Sequence, residues 1–282
     1  MTLKNNVLER QNKKPIAYDM FFEHNESKKP LVIFCHGYKG FKDWGPWNLV
    51  AQHFSNTGCF FVKFNFSHNG GTVENPIDFP DLEAFAENNY TRELEDLNDV
   101  LDVLLSEKFQ YHQQIDGSKV NLIGHSRGGG ICIIKASEDS RITRLITWAS
   151  VADFGRRPST TGNLEQWREN GVKYVLNGRT KQQMPHNFQF YENFKANEKR
   201  LHIKSCEKKL NIPHLIIHGK TDDAVSFSEA KKLHEWAKHG HLIGIEETNH
   251  VFNSKHPWET ETLPNALNTV VERSISFITD SA

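Results

Sequence analysis

The sequence predicts an α/β fold: a doubly wound, mostly parallel sheet that carries one small insertion. Three observations predict it. Short apolar runs alternate with amphipathic stretches over most of the chain, the pattern of strands joined by right-handed crossover helices. A glycine-flanked serine, Gly124-His125-Ser126-Arg127-Gly128, joins one apolar run to a helix-like stretch. Between Ala152 and Leu210 the alternation breaks, which divides the chain into a core of 1–152 and 211–282 and an inserted segment of 153–210.

Residues 16–22 alternate loosely, as an early edge strand would, and 31–35 form an apolar run fit for a central strand. A helix is expected over 47–54 and a strand over 59–66, followed by a polar loop at 67–71. Residues 90–109 place Leu94, Leu97, Leu101 and Leu104 on one stripe, which predicts a helix with that face buried. Strands are expected at 120–123, 145–150, 212–219 and 242–246, with a helix after the first of them. Within the insertion, 163–170 and 191–200 look helical, and 173–181 reads as a hairpin turning at Asn177-Gly178, a pair that favours a type I′ turn.

The Gly124–Gly128 segment reads as a nucleophile elbow, in which a strained strand-to-helix turn lifts a serine hydroxyl to the carboxyl edge of the sheet. Such a serine needs a base within hydrogen-bond reach and an acid that orients the base. Asp222 and Asp223 follow the apolar run ending at Gly219, and His250 follows the run ending at Glu246, so all of them fall at the same edge. The order serine, carboxylate, histidine is the one that accompanies this elbow. Of the other histidines, His36 and His218 sit at strand ends and read as structural, His36 by shaping its loop through hydrogen bonds; His256 is the second choice as base.

These blocks, with Cys35-His36-Gly37-Tyr38-Lys39-Gly40-Phe41-Lys42-Asp43-Trp44-Gly45, resemble the serine α/β-hydrolases, in particular the bacterial dienelactone-hydrolase-like and cinnamoyl-esterase-like branch. The resemblance runs from about Ile16 to Phe277. It implies an α/β-hydrolase sheet with a cap insertion, an oxyanion loop at 35–45, and the pattern H-G-x-x-D-x-x-V over 218–225, which names Asp222 as the acid. Ser126 becomes the nucleophile and His250 the base, with the backbone N–H groups of Tyr38 and Arg127 as oxyanion donors. True dienelactone hydrolases carry cysteine where this chain has Ser126, so their substrate does not carry over. The expected activity is cleavage of a small or medium carboxylic ester through an acyl-enzyme, without a cofactor. A peptidase or amidase of the same fold and a catalytically silent binding module are the alternatives.

Pocket candidates are Trp44, His68, Asn69, Trp148 and Phe154, whose aromatic content suggests a hydrophobic or aromatic acyl group, with core packing as the alternative reading of the same residues. The Arg127 side chain is expected to pair with a neighbouring carboxylate. The 282 residues are 37% hydrophobic and carry a net charge of −1, so no bulk field favours nucleic acid or acidic membrane as a partner. No apolar stretch reaches eighteen residues, so no membrane span is expected. The N-terminal residues lack the apolar core of a secretory signal, and the expected location is cytoplasmic. The four cysteines read as buried free thiols. His234 and His239 are five apart and do not share a helical face, so no metal site is expected. The oligomeric state is left open.

Overall fold

Residues 1–279 are described in the computed structural model; positions 280–282 of the expected core segment lie outside the described residues. The apolar runs become strands because β-branched and aromatic side chains can be buried on both faces of a parallel sheet. The elements follow in chain order: β1 (Thr2–Leu8), β2 (Ile16–Phe21), β3 (Lys29–Cys35), α1 (Trp47–Asn56), β4 (Phe60–Phe64), α2 (Leu82–Ala86), α3 (Tyr90–Leu104), β5 (Ile115–His125), α4 (Arg127–Glu138) and β6 (Ile142–Trp148). The inserted segment holds α5 (Leu164–Asn170), β7 (Val172–Leu176), β8 (Gln183–Asn187), α6 (Gln189–Ala196) and α7 (Ile203–Glu207). The core resumes with β9 (His214–Gly219), α8 (Phe227–Trp236), β10 (Gly240–Ile245) and α9 (Asn265–Thr279).

Among the described residues the main sheet has eight strands in the order β1-β2-β4-β3-β5-β6-β9-β10. All pairings from β4 to β10 are parallel, and β2 runs antiparallel to both its neighbours. The chain leaves β3 for β4 on one side and reaches β5 on the other. The strand order therefore reverses around β3, and the carboxyl ends of β3 and β5 flank the crevice where open α/β sheets place their sites. Alternate residues of β3 enter two cores. Leu31, Ile33 and Cys35 face α3 and α4, whereas Val32 and Phe34 face α1 and α9. The α3 stripe of Leu94, Leu97, Leu101 and Leu104 is buried, and Asn89 caps the helix by accepting from Arg92 N at 2.9 Å.

Three details depart from the sequence reading. The segment 16–22 does not form an edge, because β1 pairs outside β2. β1 is polar and mostly exposed, and its register shifts between Leu3 and Asn6, so it lacks the alternation that announces a strand. The helix expected to reach 109 ends at Leu104 and gives way to turns. The hairpin exists, but residues 177–182 connect its strands, with Asn177 N bonded to Gln182 O and Lys181 rather than Gly178 in the left-handed region. The inserted segment packs on the same side of the sheet as α3 and α4. There Trp167, Phe190 and Phe194 join the core around Tyr90. All four cysteines are buried and free. Among the described residues no helix is long and apolar enough to cross a membrane.

Leu97 is completely enclosed. Leu97→Ala should lower the unfolding free energy by about 2–5 kcal/mol, read from urea midpoints at unchanged slope. Acid should also destabilise the fold. Burial holds His36 down to about 4, and His125 and His186 down to about 3. The folded chain therefore binds fewer protons than the unfolded chain between those values and the ordinary histidine range, and stability falls as pH drops through that window. Asp96, pushed up to about 6 by burial against the opposing pull of Arg10, acts in the other direction but as a single group. Thermal melts should give a lower Tm at about pH 5 than at about pH 7; an equal or higher value would contradict this account.

Candidate active site

Ser126 stands between β5 and α4 with φ 56° and ψ −118°, a conformation L-residues seldom adopt and one that close packing must hold. The flanking glycines make that packing possible. A Cβ on Gly124 would lie 2.4 Å from Gly128 O, and one on Gly128 would lie 2.3 Å from Cys35 O. A Cβ on Gly37 would come within 2.9 Å of Ser126 Cβ, so the loop after β3 rests directly on the serine.

Asp222 follows β9. Its Oδ1 accepts from Ala224 N and Val225 N, both at 2.9 Å, which locks the carboxylate in its own turn. Its Oδ2 accepts from His250 Nδ1 at 2.7 Å, and His218 Nε2 lies 3.1 Å away. With Nδ1 donating, neutral His250 presents Nε2 as an acceptor, the tautomer a base requires. Burial acts to raise the carboxyl of Asp222, but hydrogen bonds from His218 and His250 hold it well below the usual carboxylate range. Asp223 points into solvent. The loops after β9 and β10 are joined by Thr221 N to Thr248 O, and His125 Nε2 donates to His250 O at 3.0 Å. These bonds carry the His250 loop onto the Ser126 turn, with the His125 and His250 rings 4.9 Å apart. Among the described residues no hydrogen bond joins Ser126 Oγ to His250 Nε2. Contacts of this kind are often long before substrate binds and tighten in the complex.

The loop after β3 has its own orienting group. His36 Nε2 accepts from Phe66 N at 3.2 Å, so Nδ1 carries the proton and donates to Gly37 O at 2.9 Å. Gly40 N donates to the same oxygen. In a trans peptide the N–H lies opposite the C=O, so fixing Gly37 O also fixes the direction of the Tyr38 N–H. Arg127 N is the first amide of α4, one of the donors a helix cannot satisfy internally. The Arg127 side chain is buried, bonds Glu93 Oε1 at 3.2 Å, and stacks on the Tyr38 ring at 4.3 Å. Tyr38 OH bonds His186 Nε2 of β8 at 2.7 Å, linking the loop after β3 to the inserted segment.

The five pocket candidates are dispersed. Trp148 is enclosed in the core against α9, donating from Nε1 to Ser274 Oγ at 3.0 Å. Phe154 stacks on Tyr90 at 3.9 Å and borders a groove of about 430 Å³ that includes none of Ser126, Asp222 and His250. His68 is held by Ser67 and Arg92 on an outer cleft. Asn69 supports the loop after β3 by donating to Gly40 O at 3.1 Å. Trp44 packs against Trp47 and His256, and His256 Nδ1 accepts from Gly45 N at 2.8 Å, which assigns it to this packing. Trp44 also packs, beside Tyr38, against an enclosed apolar cluster of Phe41, Phe79, Phe85 and Met184. Sequence reasoning missed these residues, and also His125 as the tether of the His250 loop. The contact of His218 with Asp222 had a signal in their four-residue spacing across the turn. Among the described residues no group of three or more His, Cys, Asp or Glu side chains could hold a metal.

Similar proteins share this geometry at the level of fold. No curated protein sequence matches the chain. The structure of Est1E from Butyrivibrio proteoclasticus is 17% identical with a TM-score of 0.70, over 97% of this chain and 96% of that one. Est1E with ferulic acid bound is 18% identical with a TM-score of 0.68, over 94% of both chains. A dienelactone hydrolase from Anabaena variabilis ATCC 29413 is 15% identical with a TM-score of 0.61, over 98% of this chain and 94% of that one. The family model described as alpha/beta hydrolase fold matches residues 30–183, more than half of the sequence. With the sheet order and the elbow already described, that match means the chain belongs to the alpha/beta hydrolase fold family.

Proposed function

We propose that this protein is a serine hydrolase that cleaves small or medium carboxylic esters through an acyl-enzyme. The observation that carries the reading is the 2.7 Å bond from His250 Nδ1 to Asp222 Oδ2, on a loop tethered to the strained Ser126 turn. His250 Nε2 takes the Ser126 proton as Oγ attacks the substrate carbonyl carbon. The carbonyl electrons move to oxygen, and the oxyanion is received by the N–H groups of Tyr38 and Arg127. Collapse of the intermediate expels the alcohol, which takes the proton from His250. Water then attacks the acyl carbon with His250 again as base, and the acid leaves with Ser126 restored. Asp222 orients the imidazole and offsets its charge while it is protonated.

The acyl group in this reading is hydrophobic or aromatic. Tyr38 and Trp44 lie half-buried over the enclosed apolar cluster of Phe41, Phe79, Phe85 and Met184, and Est1E, which shares the fold, has been solved with ferulic acid. The segment 153–210 acts as the cap, since β8 supplies Met184 to that cluster and His186 to Tyr38. The free buried cysteines support a reducing, cytoplasmic location.

Ser126→Ala should abolish both turnover of a chromogenic ester panel and labelling by a fluorophosphonate probe. Retention of either removes Ser126 from the chemistry, and turnover confined to aminoacyl amides would replace the esterase reading with an amidase. Asp222→Asn should lower kcat by about 10⁴ by favouring the wrong imidazole tautomer. Asp223→Asn, altering only an exposed neighbour, should stay close to wild type in the same steady-state assay.

A further inference from the structure

We propose that a closed network of four charges, three of them fully buried, anchors the oxyanion loop to the N-terminal side of the sheet, so that residues far from the nucleophile position the Tyr38 N–H. Lys42 and Asp43 belong to the loop, Asp19 to β2 and Lys63 to β4. Lys42 Nζ donates to Asp19 Oδ1 at 2.8 Å, Asp43 Oδ2 at 2.6 Å and Asn5 Oδ1 at 2.8 Å, which uses all three of its N–H groups. Lys63 Nζ donates to Asp19 Oδ2 at 2.5 Å and Asp43 Oδ1 at 2.7 Å. The side chains of Lys42, Lys63 and Asp19 are 0% exposed and that of Asp43 is 13% exposed.

The two halves of the network are separable. Asp19 and Lys63 face each other across β2 and β4 and would form a neutral buried pair without the loop. Lys42 and Asp43 add a second neutral pair, and each of their charged groups reaches across to the first. Apolar side chains would fill such a space at equal or greater stability, because buried ions lose their hydration. What ions add is direction, since every donor and acceptor fixes a distance and an angle. The backbone is held in the same sense, with Lys42 N donating to Asn65 Oδ1 at 2.7 Å. The turn bond from Gly40 N to Gly37 O then connects this anchor to the peptide that carries the Tyr38 N–H.

The edge strand takes part. Asn5 sits in the irregularity of β1 with φ 54°, and that conformation turns its N–H onto Asp19 Oδ1 at 2.7 Å and its side-chain oxygen onto Lys42. The first strand is therefore a strut for the loop as well as a sheet edge. Lys42, Asp43, Asp19, Lys63 and Asn5 are positioning residues in this account; none touches the reacting atoms. Their effect on rate rests on the serine hydrolase reading, whereas their effect on the loop does not.

Two charge-balanced cuts test the inference in the full chain. Lys42→Met with Asp43→Asn leaves the Asp19–Lys63 pair intact, and Asp19→Asn with Lys63→Met leaves the loop pair intact. A third variant, Asn5→Gly, keeps the left-handed backbone and all four charges, and removes one acceptor of the Lys42 ammonium. The readouts are kcat and KM for p-nitrophenyl butyrate per site titrated with a fluorophosphonate, and amide hydrogen exchange across residues 37–45. Each double variant should lose about tenfold or more in kcat per titrated site, with KM within about twofold, because a misdirected oxyanion donor acts on the transition state. Exchange across 37–45 should accelerate in all three variants while that of α4 stays unchanged. A kcat per titrated site within about twofold of wild type in a folded double variant overturns the proposal. So does wild-type exchange across 37–45 in the variants that fold, Asn5→Gly included. If wild type turns over no ester, the hydrolase reading falls and the exchange measurement still decides the anchor.

Discussion

The site depends on one constraint, the approach of backbone to backbone around Ser126. Its left-handed turn costs on the order of 1–3 kcal/mol and persists only where the surroundings leave the chain no alternative. Here the surroundings are the carbonyls of Cys35 and His36 on one side and the first turn of α4 on the other, close enough that only glycine fits at 124 and 128. The same closeness seats Gly37 against the serine. Ser126 and the loop after β3 are thus a single packed unit, built from the carboxyl ends of two adjacent parallel strands.

Electrostatics completes what packing begins. The carboxylate of Asp222 is surrounded by two backbone amides and two imidazoles, so its charge is retained at low cost and its direction is set before any substrate arrives. His36 follows the same logic with no net charge: accepting at one nitrogen obliges it to donate at the other, and that donation points a peptide. The charged quartet behind the loop extends this rigidity to the first strand. Rigidity is what an oxyanion site needs, because dipoles that must reorganise during the reaction stabilise the transition state less.

Much of this was legible in the sequence, for an identifiable reason. Ser126, Asp222 and His250 each lie in a short local pattern at the end of an apolar run, and in a parallel sheet strand ends that follow crossovers share one rim. The leucine stripe of α3 was equally local. The parts that escaped notice depend on partners distant along the chain. β1 is polar, and its pairing with β2 is visible only from the far side of a turn. Trp148 and Phe154 were aromatic residues close to the elbow in sequence, but sequence proximity does not tell which sheet face a strand-end side chain meets, and both are committed to core packing. The quartet joins positions 19, 42, 43 and 63, a set no periodicity groups together.

The Tyr38 residue divides its atoms between two tasks. In the proposed mechanism its main-chain nitrogen receives the oxyanion, and its phenol bonds His186 of β8. Because the first contribution is indifferent to side-chain identity, this position offers a site where preference for one compound over another can drift during evolution while the reactive apparatus stays constant. The inserted hairpin that meets the phenol can diversify alongside it, giving one scaffold a means of acquiring new tastes without relearning its chemistry.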